Sequence, residues 1–224
     1  MRIQLLDWLR LFLFCYICGV ALSKNVPFTD ALPTKIISNS KGANFLTVAQ
    51  VKEMYSSGMV TFGSHTVNHT PNLSKCADPI YELSVSKETI ESWGIPCKYI
   101  IYPNGAVTDE QLTYMDDYYD YGFLAGGAQK NGIHIQNRVN YYPINKYQIM
   151  RTALNGQMSD EELNLIKQQI NACIDGNGLM VFMIHIGQSA TVEEDLNVYS
   201  VIVEYIRNKG YDIESLDVVM DRFQ

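Results

Sequence analysis

Residues 179–184 (LMVFMI) form an uninterrupted apolar run between Gly178 and His185. Such a run is too short for a buried helix and fits a strand covered on both faces, the kind found in parallel sheets. Parallel strands need long crossovers, usually helical, and amphipathic patterns flank the run on both sides. A helix over 159–174 opens on a capping box made by Ser159 and Glu162, and one over 191–209 stops at Gly210. The same alternation runs along the chain. Strand-like 26–32 precedes a helix over 47–57, with Thr47 as N-cap, Val48, Val51 and Tyr55 on one face, and Gly58 as its stop. Strand 60–64, helix 79–93, strand 99–102, helix 108–119 and strand 123–125 follow. A strand-like run over 141–150 and a short strand near 211–213 complete the pattern. Alternation of this kind predicts an α/β chain with a parallel sheet or barrel. A barrel-like domain over 26–224 accounts for nearly all of the 224 residues.

The first 25 residues admit two readings. Residues 11–22 (LFLFCYICGVAL) are uncharged but short of the ~20 needed to cross a bilayer, so no integral membrane span is expected. Arg2 and Arg10 precede the run, and Ala21-Leu22-Ser23 has a small-x-small cleavage pattern, as in a secretory signal. Asp7 and Trp8 oppose that reading. The rival is a strand over 3–6 and a buried helix, the first two elements of the barrel.

Lys and Arg number 17 against 24 Asp and Glu, a net charge of −7, so nucleic acid is not an expected partner. Five cysteines cannot all pair within one chain. Cys15-Tyr-Ile-Cys18 has redox spacing but sits inside the apolar run, where buried thiols acting as small hydrophobes are expected.

In α/β folds of this kind catalytic groups gather at the carboxyl ends of strands. Strand 60–64 runs into His65-Thr-Val-Asn-His69, strand 99–102 into Pro103-Asn104-Gly105, and strand 179–184 into His185. Two neutral imidazoles four residues apart can face one divalent cation, and imidazole suits zinc, cobalt, nickel or iron. A third ligand, usually a carboxylate, must come from another strand end. The alternative is that His65 caps the strand and His69 lines the loop. His185 reads as a general acid tunable near neutrality, or as a core histidine satisfied by backbone. His134 reads as a surface-loop residue. Asp116, Asp117 and Asp120, set among tyrosines 114, 118, 119 and 121, read as a solvated helix face, with an aromatic sugar-stacking surface as the alternative.

Together these residues resemble the polysaccharide deacetylase (NodB-homology, carbohydrate esterase) family. Gly63-Ser-His-Thr-Val-Asn-His69 is similar to its His-Ser/Thr-x-x-x-His metal motif, Tyr102-Pro-Asn-Gly105 to its Tyr-Pro-Tyr-Gly strand end, and 181–185 to its Leu-x-His motif. The helix over 50–58 and strand 26–29 resemble the family's flanking elements. The resemblance implies a distorted, incomplete (β/α) barrel and a metal-dependent hydrolase. Its substrate would be an acetylated polysaccharide or oligosaccharide containing N-acetylglucosamine, chitin-like or from peptidoglycan.

It also implies one divalent ion, zinc first and cobalt or nickel as alternatives, held by His65 and His69. His185 would be the acid, and the Asn104 backbone N–H and Tyr102 would face oxyanion and substrate. The family's first motif, Thr-Phe-Asp-Asp-Gly, is degenerate or missing. Asp7 stands where it would lie, as the one candidate for third ligand or catalytic base. The third-motif Arg is replaced by Ile101, and Arg151 is the substitute positive charge. Two other outcomes follow from these departures: a catalytically impaired carbohydrate-binding protein, or an esterase for O-acetyl sugars. The resemblance slightly favours a secreted or cell-envelope setting.

Overall fold

The computed structural model describes residues 2–7 by their backbone, and 24–42, 45–70, 73, 76–105, 107–124 and 139–222 in full. Seven strands carry the architecture: β1 (Arg2–Asp7), β2 (Phe28–Leu32), β3 (Val60–Ser64), β4 (Tyr99–Ile101), β5 (Tyr121–Leu124), β6 (Ile149–Leu154) and β7 (Leu179–Ile184). All neighbours are parallel and pair in chain order, and β1 closes the ring on β7 over 2–7. The expected distortion lies between β3 and β4, which share only the pair Ser64–Ile100. One strand fewer than a full (β/α)8 barrel leaves the ring incomplete in that sense.

Side-chain alternation splits the core into two clusters. Ala31, Ile101, Phe123, Ile149 and Val181 belong to one, with Leu216, Val219 and Met220. Phe28, Phe62, Ile100, Phe182 and Ile184 belong to the other, against the surrounding helices. Around the strands lie α1 (Thr34–Ser38), α2 (Val48–Ser56), α3 (Pro79–Ser92), α4 (Asp109–Leu112), α5 (Asp160–Asp175), α6 (Val192–Asn208) and α7 (Leu216–Met220). Reciprocal capping boxes start α2, α4, α5 and α6 at Thr47, Thr108, Ser159 and Thr191. The first residues of β4 and β5 reach α7: the Tyr99 hydroxyl donates to Asp217 at 2.6 Å and that of Tyr121 to the Met220 carbonyl at 3.4 Å. α7 therefore plugs the amino end of the barrel.

Three expected elements differ. The helix over 108–119 stops at Leu112 and gives way to a 3-10 turn, Met115–Asp117. Tertiary bonds override it: Tyr119 is buried and donates to the Leu83 carbonyl, while Asp116 accepts from Lys146 and Tyr147. Asp116 is solvated as expected, but it stands on the 3-10 turn and ties it to the segment of Lys146 and Tyr147. The strand over 141–150 begins only at Ile149, since Pro143 has no N–H to offer and a turn closes on Asn145. No strand forms at 211–213; that segment leads into α7, capped by Ser215. Cys97 and Cys173 are buried and Cys76 is half-buried, whereas Cys15 and Cys18, for which burial was expected, and His134 lie outside the described residues. Among the described residues no helix is long and apolar enough to cross a membrane.

Candidate active site

The loop after β3 is wound tightly around its own polar groups. The Ser64 hydroxyl shares a 2.6 Å hydrogen bond with Ser86 of α3 and accepts the Thr66 N–H at 3.1 Å. Thr66 and His69 take positive φ, 66° and 53°, a costly region for a β-branched residue such as threonine. Bonds from both sides hold it there: the Thr34 and Lys35 N–H groups donate to the Thr66 and Val67 carbonyls, and the Thr70 N–H to Thr66 Oγ1. The winding brings the His65 and His69 rings to a centroid distance of 4.7 Å with planes tilted by 59°.

His65 Nδ1 lies 2.6 Å from the Ile101 carbonyl oxygen. A carbonyl only accepts, so Nδ1 carries the proton and Nε2 keeps its lone pair, the tautomer that a metal ligand needs. Burial, then His69, and further Arg151 and His185 hold His65 well below the ordinary histidine range, against the opposing pull of the Ile101 bond. His69 is lowered as well, mainly by partial burial. Arg151 stands within β6 rather than after a strand, in register with Val181 of the inner cluster. Its Nε donates to the Leu124 carbonyl at 2.8 Å, and burial brings the guanidinium down to about 9. His185 leaves the end of β7; burial first, then Arg151 and His69, depress it to about 4. His65 and His69 thus stand together as a ring pair, and Arg151 and His185 are near enough to bear on the charge of His65.

Asp7 closes β1, its backbone in register with Asp30 and Ile184, one residue before His185; its side chain lies outside the described set. Asn104 sits exposed on the 3-10 turn Pro103–Gly105 at φ +53°, at the carboxyl end of β4. Tyr102 corrects an expectation. It is fully buried in the outer cluster, its ring packed over Gly122 where any Cβ would collide with the hydroxyl. Its side chain is core and cannot face substrate, because the strand pleat turns it away from the barrel axis.

Two carboxylates that the sequence reading passed over hold the site in shape. Glu82 of α3, 3% exposed, accepts the Asn68 N–H at 2.9 Å and the Asn68 side-chain amide. Asp195 of α6, fully buried, accepts the Gly156 N–H at 2.6 Å and the Gly187 N–H at 2.7 Å, tying the loop after β6 to the loop that carries His185. A signal existed for both: each is an acid on the apolar face of its helix, Glu82 with Ser86 and Ile90, Asp195 with Val198 and Ile202. An acid at such a position needs donors from elsewhere. Glu82→Ala is expected to weaken divalent-ion binding about tenfold by releasing Asn68 between the two imidazoles, with Glu82→Gln intermediate. Calorimetric titration with zinc measures this, and unchanged affinity would show that the loop holds itself.

Comparison with known proteins bears on this geometry. Residues 16–120 match the family model for polysaccharide deacetylases. The fold is similar to the Xyl-CE4 domain of a multidomain xylanase from the hindgut metagenome of Trinervitermes trinervoides. The TM-score is 0.61 at 15% identity, covering 98% of this chain and 89% of that one. A CE4-family pseudoenzyme from Bacillus anthracis gives a TM-score of 0.60 at 15% identity, covering 96% and 64%. A Streptococcus pyogenes deacetylase in complex with acetate gives 0.54 at 21%, covering 71% and 67%. At these identities the likeness is one of fold. The chain spans 40% and 41% of the length of two longer Bacillus chains that it also matches. No curated protein matches it.

Proposed function

We propose that this chain is a metal-dependent hydrolase that removes acetyl groups from N-acetylglucosamine-containing polysaccharide. The observation that supports this is the pairing of the His65 and His69 rings just after β3, with the His65 proton on Nδ1 toward the Ile101 carbonyl and with Arg151 and His185 near enough to lower His65. The donor set fits a divalent ion in part. Two neutral imidazoles stand together, but no group of three ligating side chains exists among the described residues. Asp7 at the end of β1 would complete the set, and imidazole with carboxylate suits zinc, with cobalt or nickel as alternatives. When bound, such an ion acidifies water and polarises a carbonyl.

The chain's own residues supply the rest. The exposed Asn104 turn offers a backbone N–H to the oxyanion, and Arg151 adds a fixed positive charge. His185, depressed to about 4, rests neutral and must gain a proton before it can give one. In this reading it takes a proton from the attacking water and passes it to the departing nitrogen. The C–N bond breaks as that nitrogen is protonated, leaving acetate and a free amine.

A second reading has its own support. The Asp-Asp pair of the family's first motif is absent from the sequence, with Asp7 alone near its place. A sugar-binding protein without turnover follows if Asp7 cannot serve, and one of the fold relatives is named a pseudoenzyme. Acetate release from N-acetylglucosamine oligomers separates the two. Release should stop after chelation and return with zinc, cobalt or nickel. Oligomer binding without acetate under any of these metals would establish the binding protein, and release confined to O-acetyl xylan would make it an esterase.

A further inference from the structure

Arg151 is a buried cation whose charge nothing among the described residues answers. It is 4% exposed, and alternation along β6 puts it on the inner face with Ile149, in register with Val181 of the inner cluster. Ile149 in turn pairs with Phe123, so the wall on the amino-terminal side of the guanidinium is apolar. Its Nε–H is spent on the Leu124 carbonyl at 2.8 Å. An arginine has four more N–H groups, on Nη1 and Nη2, and among the described residues these make no hydrogen bond and meet no carboxylate in an ion pair. The three buried acids among those residues are placed or committed elsewhere. Asp30 lies on the outer face of β2 with Phe28 and Leu32, Glu82 holds Asn68, and Asp195 holds Gly156 and Gly187. Burial lowers the guanidinium and no acid raises it. A charge shut from water without a partner costs stability.

We infer that the Nη edge of Arg151 is a binding site for a small monovalent anion on the inner face of the barrel. The free edge presents two parallel N–H groups, the fork that receives a planar oxyanion through two bonds. A halide brings the same charge without that two-point fit. The ligand has to be small, because the guanidinium is enclosed at 4% exposure beside a packed apolar layer. His65 and His185 are near enough to feel the charge of Arg151, and an imidazole carries no negative charge in either of its ordinary forms, so neither ring repels an anion there. The site needs neither a metal nor an acetylated substrate and stands independently of the deacetylase reading.

The test is thermal unfolding of the full chain, first dialysed free of divalent ions so that no metal captures the anion. At constant ionic strength, gluconate, a bulky monoanion, is exchanged for formate in one series and for chloride in another. The unfolding temperature should rise and then saturate as it does for a single site, whereas bulk salt effects rise without saturating. A larger response to formate assigns the two-bond fit and a larger response to chloride assigns a halide pocket; either keeps the site. Arg151→Gln retains a donor for Leu124 and removes the charge. It should unfold above the parent in gluconate, and its anion affinity should fall by at least about tenfold, so that the parent gains on it as anion is added. Arg151→Lys keeps the charge without the paired N–H edge; it should lose most of the formate response, and it serves as the test should the Gln variant not fold. The absence of a saturable response in the parent would mean that the chain supplies its own counter-charge and would overturn the site. Responses unchanged in both variants would do the same.

Discussion

Replacing Asp195 with alanine is expected to lower the free energy of unfolding by about 4 kcal/mol. The carboxylate is fully buried and accepts backbone N–H groups from Gly156 and Gly187, one from the loop after β6 and one from the loop after β7. Removing it leaves two amide donors without acceptors, each costing about 1–3 kcal/mol when shut from water. Little can move in to compensate. Gly156 already packs so closely on Glu194 and Asp195 that even a methyl group would collide with the start of α6. Asp195→Asn keeps one acceptor but turns an N–H2 towards the other amide, so about half of the loss should remain. Urea denaturation at neutral pH measures both, and hydrogen exchange at Gly156 and Gly187 should accelerate in proportion. A loss below about 1 kcal/mol would show that water reaches these amides. Because the Gly187 loop carries His185, the same variant should loosen the proton-carrying ring, making Asp195 a positioning residue for the proposed chemistry.

The fold was legible wherever local and tertiary preferences agreed. The run 179–184 reads as a buried parallel strand, and the N-cap at Thr47 and the capping box at Ser159 mark helix starts that the structure shares. Legibility failed where long-range bonds decided the outcome. Nothing local to 113–119 reveals that Tyr119 will reach Leu83 or that Asp116 will be claimed by Lys146 and Tyr147. The site divides in the same way. Strand-end position groups the candidates His65, His69 and His185 because the parallel topology turns those ends to one side, whereas Arg151 stands within β6 and not after it. Tyr102 was misread for a simple reason. It lies one residue beyond β4, where a pleat decides whether a side chain faces cleft or core, and the pleat follows from pairing with Phe123. The metal motif's tautomer, set by Ile101 from another strand, cannot be seen along the sequence at all.

A second large effect comes from Asp30, an acid in the middle of β2. Alternation puts it on the face of Phe28 and Leu32, in register with Phe62, so its carboxyl enters the apolar layer between strands and helices. It is 1% exposed, and Oδ1 makes no hydrogen bond among the described residues. Burial raises its pKa from 3.8 to about 8, opposed only by the Ala31 N–H. The sign follows from which state binds the proton. Below 3.8 both folded and unfolded chains hold it and Asp30 contributes no pH dependence. Between 3.8 and about 8 only the folded chain holds it, so stability falls as pH rises, by at most about 1.4 kcal/mol per unit. Above about 8 the loss is complete and the profile levels.

Asp30→Asn removes the proton from this balance while keeping an acceptor for Ala31. It should stabilise the fold by about 2 kcal/mol near neutrality, the full shift being reduced by relaxation around the buried group. The depressed histidines act oppositely, since charging them on acidification favours the unfolded chain. The parent profile alone therefore mixes the two, and the difference between parent and Asp30→Asn, measured by denaturation across the acid-to-neutral range, isolates the carboxyl. That difference should grow with pH and then level. Parallel profiles for the two chains would mean that Asp30 is ionised in the fold and that an undetected partner holds its charge.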